Sequence, residues 1–344
     1  MLKPCFAMSE SEALAVLSRT GVFRIAGMTE DGPLLRTVDG VVHDGMLCFH
    51  GADRGTKLEL VGREVMVAGE EVVAHLPSWF FDERRACPAT TYYRSVYAWG
   101  TIERVADRVT KAAVLQALME HHQPEGRHQP ITADDPLYAN AIDGLFVGCI
   151  RPRRIEGKAK LGQHKGAATI ARALDGLWQR GAPGDLAAIR AVREAHPGRP
   201  TPTWMLGPVG VTFEVAPDGR EVEAAVALLE GQYWNEGVEP RRIRSAHLAS
   251  PAWIVARDPA GTVVATARAV GDDAKIAIVY DVVVDPALRG RGLGRAMVGL
   301  LLQHPRVRGA RRVLLRTRDA QGFYTRLGFS PYVSSNELLG RTTS

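Results

Sequence analysis

The first half of the chain is patterned in short apolar and β-branched runs separated by turn chemistry. Residues 21–28 form one such run and end at Glu30-Asp31-Gly32-Pro33. Residues 34–42 alternate, His43-Asp44-Gly45 turns the chain, and 46–50 return; Asp-Gly between apolar flanks predicts a β-hairpin. Residues 57–62 predict one short helix. Residues 64–68 and 71–76 predict two further strands, 92–105 the longest strand and 145–150 the last. In residues 108–120, Val109, Ala112, Ala113, Leu115 and Leu118 recur near the helical period. Many short strands with few helices predict a small barrel.

The second half follows a different pattern. Residues 168–195 are helical in period, interrupted at Gly181-Ala182-Pro183-Gly184. The Pro/Gly cluster from His196 to Thr203 is the strongest boundary signal. Beyond it, 221–229 and 240–248 predict helices, and 252–257 with 263–270 predict a hairpin around Asp258-Pro259-Ala260-Gly261. A strand is expected at 275–284, a helix at 290–302, a strand at 312–316 and a helix at 320–327. Strands alternating with helices predict an α/β domain. The expected division is a barrel domain with C-terminal helices over 1–200 and an α/β domain over 209–335. A length of 344 residues agrees with two domains.

Composition narrows the partners. Lys and Arg number 43 against 38 Asp and Glu, for a net charge of +5. Lysine stands only at 3, 57, 111, 158, 160, 165 and 275, so the basic residues are mostly arginine. Much of this is compositional bias, but arginine forks also fit phosphate oxygens. There is no basic tail and no arginine–aromatic stripe, so no nucleic-acid partner is expected. No apolar run approaches the ~20 residues of a membrane helix, and no membrane partner is expected. The start of the chain shows no secretion signal, which points to a cytoplasmic protein. Cys5, Cys48, Cys87 and Cys149 form no C-x-x-C pair, so free thiols are expected. His121, His122 and His128 lie among Gln, Pro and Gly and read as an exposed loop after a helix, so no metal is expected.

The most informative stretch runs from Val282, Val283 and Val284 through Asp285-Pro286 to Arg289-Gly290-Arg291-Gly292-Leu293-Gly294. An apolar strand enters an Arg/Gly turn, and the turn opens a helix. Glycine lets backbone approach a ligand, and the helix N-terminus favours an anion such as a pyrophosphate. No Lys-Ser/Thr follows, which excludes a P-loop. The motif lies late in the chain, which argues against a Rossmann turn. Arg289-x-x-Gly292-x-Gly294 resembles the acetyl-CoA signature of GCN5-related N-acetyltransferases (GNAT). Leu315 to Phe329, with Tyr324 ahead of Leu327-Gly328-Phe329, looks like that family's terminal motif. Tyr233-Trp234-x-x-Gly237 and 281–284 look like a subgroup of small stand-alone acetyltransferases.

The resemblance implies a GNAT fold with acetyl-CoA as cosubstrate. Backbone at Val282, Val283 and Val284 would pair with the pantetheine arm. The amides of Arg289, Gly290, Arg291, Gly292, Leu293 and Gly294 would hold the pyrophosphate, and Tyr324 would protonate the departing thiolate. Asp281 is the candidate general base, standing where the family commonly uses a glutamate nearby. The acceptor segment would be about 231–249.

In the first half, Leu35-Arg36-Thr37-Val38, then Phe49-His50-Gly51-Ala52 leading to Gly55-Thr56-Lys57-Leu58, then Tyr93-Arg94-Ser95-Val96 up to Gly100, fit one scheme. A strand runs into a glycine-bearing turn with a lysine at a helix start, which suits a phosphate. These segments resemble the pyridoxamine 5′-phosphate oxidase-related split-barrel flavoproteins, which include nitroimidazole-resistance proteins. The resemblance implies FMN bound in a cleft of a homodimer formed through the barrel. Arg36, Lys57 and Ser95 would serve phosphate or ring, and His50, Val38 and Val96 would line the site. Thr56 replaces a frequent second basic residue. Arg151–Lys165 lacks the Arg/His ending of true pyridoxamine phosphate oxidases, which argues against vitamin-B6 oxidation.

The expectation is an acetyltransferase acting on a small-molecule amine by direct attack on the thioester, fused to an FMN-binding domain. The alternatives are a flavin-dependent oxidoreductase with an accessory GNAT domain, and a non-enzymatic flavin- and CoA-liganded regulatory dimer.

Overall fold

A computed structural model of the chain describes residues 3–332. It divides into two units between Ala173 and Leu174. The first unit begins with β1 (Ala7–Met8) and α1 (Glu10–Thr20). Strands β2 (Val22–Thr29), β3 (Gly32–His43), β4 (Met46–Ala52), β5 (Glu64–Leu76) and β6 (Thr90–Arg104) follow. Helices α2 (Arg108–His122) and α3 (Ala139–Gly144) precede β7 (Leu145–Ile150) and β8 (Arg154–Lys160).

The strands run in the order β6-β5-β2-β3-β4-β7, and β7 pairs back onto β6 to close a ring. This is possible because β6 is long. One of its edges takes β8 along 93–99 and then β7 along 102–104. Inward positions such as Phe23, Ile25, Leu47, Phe49, Val67, Val96 and Phe146 fill the interior. A capping box starts α1: Ser9 Oγ accepts from Glu12 N at 3.3 Å, and Glu12 Oε2 accepts from Ser9 N at 2.7 Å. The result is the split barrel expected from the sequence.

Details differ from the sequence reading. Residues 64–76 form one strand, not two. Gly69 is a close approach rather than a turn, since a Cβ there would stand 2.7 Å from Leu17 Cδ2. The short helix at 57–62 is a 3-10 turn over Thr56–Leu60. Helix α1 and strands β1 and β8 were not expected. The sequence of β8, RIEGKAK, carries too many charges to show a strand alternation. Cys48 and Cys149 are directly opposed on β4 and β7 and form a disulfide, so the expectation of four free thiols fails there; Cys5 and Cys87 are free.

The second unit takes most of α4 (Ala167–Arg180), then α5 (Asp185–Glu194), β9 (Thr212–Glu214), α6 (Gly219–Leu229) and α7 (Pro240–Leu248). It continues with β10 (Ala252–Arg257), β11 (Val263–Gly271), β12 (Ile276–Val284), α8 (Leu293–Leu302), β13 (Arg312–Leu314) and α9 (Gln321–Thr325). The sheet order is β13-β12-β11-β10-β9. Only β12 and β13 are parallel, paired from Ile276/Arg312 to Ile278/Leu314.

The helices expected to end a first domain at 200 pack instead with this second unit. Arg308 donates to the Trp178 carbonyl at 3.1 Å, and the Trp178 and Trp204 rings stack at 4.6 Å. Arg190 pairs with buried Glu221 and donates to the Ala216 carbonyl at 2.7 Å. Charged residues of 185–194 are the groups that dock it. Residues 333–335 of the expected second domain lie outside the described residues.

Candidate active site

The second unit contains a cleft of about 1240 Å³. It opens where β12 and β13 part. The paired stretch ends at Ile278/Leu314, and residues 279–284 of β12 line the cleft with 315–320 beyond β13. On its other edge β12 stays paired with β11, with a register shift between Thr266 and Arg268. Asp281 lies at this irregularity with φ +52. That is left-handed backbone, which Asp and Asn tolerate better than most residues.

The strand ends in the glycine turn. Gly290 and Gly292 have φ +75 and +83, and Gly292 is the N-cap of α8. A Cβ at Gly290 would meet nothing within 4 Å, so the turn is open to a ligand. Ala296 is the first N–H to find a helical acceptor, on the Gly292 carbonyl at 3.0 Å. The N–H groups of Leu293, Gly294 and Arg295 are the donors a helix start leaves without intrahelical acceptors. Arg289 Nε is tied back to the Val284 carbonyl at 3.0 Å. Arg291 is not among the residues lining the cleft.

Tyr324 lines the same cleft on α9, wedged between Phe323 and Phe329 with ring centroids at 4.9 and 5.8 Å. Burial, with a smaller contribution from nearby Tyr233, pushes its hydroxyl up to about 12. It is a phenol through the whole physiological range. Asp281 is held differently. Its Oδ2 accepts from Arg268 Nε at 2.6 Å and its Oδ1 accepts from Trp234 Nε1 at 3.1 Å. The side chain is 7% exposed. Both oxygens are engaged, so this carboxylate is built into the wall. Tyr233, next to Trp234, accepts from Arg318 N at 3.0 Å, and the Arg318 guanidinium lies over its ring at 3.8 Å.

The sequence reading missed Arg268 and Arg318. A signal existed for Arg268: it is one cation in an otherwise uncharged strand, VVATARAVG, and needed a partner. Nothing in the sequence brings Arg318 to Tyr233, 85 residues earlier.

In the barrel, Arg36 donates from Nε and Nη2 to Thr56 Oγ1 at 3.0 and 2.6 Å. The Lys57 ammonium donates to the Arg54 carbonyl at 2.7 Å, and its stem lies beside Gly51. These residues make one basic corner at the end of β4. Nδ1 of His50 is buried without a partner, and burial lowers that imidazole's pKa. Val38 packs against the barrel core and Val96 is wholly inside it. Ser95 is buried on β6 between Glu70 and Lys158. In the closed ring, β5 and β2 separate the strand of Ser95 from that of Arg36 on one side, and β7 and β4 on the other.

Comparison with known proteins agrees with both halves. Residues 222–329 match the family model described as acetyltransferase (GNAT) family. The C-terminal unit is a GNAT domain. Residues 9–159 match the model described as pyridoxamine 5′-phosphate oxidase, and the barrel is of that type. The GNAT domain is 39% identical over 95 residues to rice serotonin N-acetyltransferase 2, chloroplastic, covering 27% of this chain and 48% of that protein. It is 41% identical over 82 residues to rice glucosamine 6-phosphate N-acetyltransferase 1, covering 24% and 48%. The chain thus spans about half the length of these curated relatives. Among solved structures, a flavocytochrome from Azotobacter vinelandii aligns over 45% of this chain and 69% of its own, at 18% identity and a TM-score of 0.38. Among the described residues no helix is long and apolar enough to cross a membrane.

Proposed function

We propose that the GNAT domain transfers an acetyl group from acetyl-CoA to the amine of a small molecule, the amine attacking the thioester carbonyl directly. The observation that carries this reading is the parting of β12 and β13 beside the glycine turn. It lines up an open strand edge, a helix N-terminus and a phenol along one cleft.

The pantetheine amides would pair with backbone at Val282–Val284, and the pyrophosphate would take the N–H groups of Gly290, Gly292, Leu293 and Gly294. Backbone N–H groups on the open edge would polarise the carbonyl as its oxygen gains charge. Tyr324 is the hydrogen-bond donor to the departing sulfur. With its hydroxyl at about 12 and an ordinary thiol near ~8.5, complete proton transfer is uphill by about 5 kcal/mol. Its contribution is therefore a hydrogen bond that grows with the developing thiolate charge. Asp281 acts as an anchor for the β12 irregularity, and the attacking amine loses its proton to water. Tyr324→Phe is expected to lower turnover by about 10²-fold with acetyl-CoA affinity, read as a thermal shift, unchanged. Unchanged turnover removes Tyr324 from this role.

For the barrel, we infer an FMN site completed by a second copy of the chain. The orphaned His50 nitrogen and the Arg36–Lys57 corner suit an FMN ring and phosphate. Arg36 and Ser95 stand on strands that are not neighbours in the ring, which suits residues that serve two different flavins across a dimer. Bound flavin would supply hydride and electron chemistry. Purified protein is expected to be a yellow dimer. A colourless monomer that FMN does not reconstitute overturns this reading.

A further inference from the structure

The cleft of the GNAT domain carries more positive charge than its glycine turn accounts for. Arg242, Arg316, Arg318 and Arg326 line it away from the turn residues Arg289 and Arg295. Its carboxylates are Asp319 and Asp281, and Asp281 is already neutralised by Arg268. Among the described residues, neither Arg242 nor Arg318 pairs with a carboxylate.

The position of Arg318 relates it to the reacting end of the cleft. Tyr324 marks that end in the acetyl-transfer reading. Tyr233 stands close enough to Tyr324 to disfavour its ionisation, and the Arg318 guanidinium carbon lies over the Tyr233 ring, 3.8 Å from its centroid. A cation held over a ring in this way keeps its N–H groups available to donate to a ligand. Arg242 comes from α7, in the segment that follows Tyr233 and Trp234. Between them in sequence, Asn235 also lines the cleft, and its side-chain Nδ2 is buried without an acceptor. A buried unpaired donor is costly. Two unpaired cations and one orphaned donor share a single unmet need, for an anionic acceptor group.

Resting on the acetyl-transfer reading, we propose that the acceptor is an amine that also carries a phosphate or carboxylate, and that Arg318, Arg242 and Asn235 bind this anion beside the reacting thioester. They are specificity-determining residues. Charge-assisted hydrogen bonds to such a group favour it by about tenfold or more over a neutral amine of the same length.

The test uses matched pairs and two readouts on the full-length protein. O-phosphoethanolamine is compared with ethanolamine, and phenylalanine with phenethylamine. Release of CoA thiol gives kcat/KM, and calorimetric titration of the CoA-saturated protein gives binding without turnover. The expected result is at least a tenfold preference for the anionic member of one pair. In R318Q and R242Q that preference collapses through KM. If the phosphate and carboxylate compounds differ, the preferred pair identifies the anion. Turnover that favours the neutral amines overturns the anion site and leaves acetyl transfer standing. Anion binding that R318Q abolishes, with no turnover of any amine, supports the anion site and overturns acetyl transfer. Neither binding nor turnover overturns both.

Discussion

His304 gives the GNAT domain a pH dependence whose size follows from its surroundings. The imidazole is fully buried, edge-on to Trp178 at 5.6 Å. Its Nδ1 accepts the Arg306 N–H at 3.2 Å, which requires that nitrogen to be unprotonated. Burial, with Arg306 and Arg308 adding to it, lowers the ring from 6.5 to about 4. The folded pKa is below the unfolded one, so unfolding takes up a proton. The stabilisation is complete above pH 6.5 and is lost as pH falls through 6.5 toward 4. The loss is about 2 kcal/mol at pH 5 and about 3 kcal/mol once both states are protonated. His304→Gln keeps an acceptor for the Arg306 N–H and cannot titrate. Urea unfolding of wild type and variant between pH 7.5 and 5 isolates the effect, because other groups cancel in the difference. The wild-type advantage should shrink by about 2 kcal/mol over that range. A pH-independent difference would refute the argument that this histidine is buried neutral.

Two further substitutions test the scaffold and the cleft. Glu221 is 1% exposed and neutralises both Arg190 and Arg257. Glu221→Ala should destabilise the GNAT unit by about 3 kcal/mol in urea unfolding, and a loss under about 1 kcal/mol would show that Asp218 and Glu194, with water, take over its role for the arginines. Gly292→Ala adds a Cβ at φ +83 where α8 begins. It should cost about 1 kcal/mol of stability and lower the acetyl-CoA-induced thermal shift, whereas a full shift would dissociate the turn from nucleotide binding.

Much of the fold was legible because the pattern and the packing agree. The hairpin of β3 and β4 follows from Asp44-Gly45 between apolar flanks. Strand β6 follows from its length and aromatic content. The failures have specific causes. Gly69 has the residue type of a turn, but its missing Cβ makes room for Leu17, a contact that only tertiary structure reveals. Strand β8 is an outer strand on β6, so its lysines and glutamate are tolerated and mask its alternation. The domain boundary was drawn at the Pro/Gly cluster because backbone chemistry is visible in sequence. The docking of α5 depends on Arg190, Arg193, Glu214 and Glu221, residue types that on a sequence read as a solvated face.

The same contrast governs the candidate site. Backbone-determined features could be read directly: glycines at 290 and 292 imply positive φ and a helix start, and the structure has both. Side-chain roles could not, because they depend on partners far along the chain. Asp281 was the candidate base because the family it resembles commonly uses a glutamate nearby. Its two oxygens accept from Trp234, 47 residues earlier, and Arg268, 13 residues earlier, so both are already engaged with protein donors. Removing it from proton transfer also accounts for the wall it sits in. An acid site built to accept a proton leaves an oxygen toward the substrate, whereas this one points both oxygens into protein. The charge left facing the cleft is then arginine, and it favours an acceptor that carries its own anion.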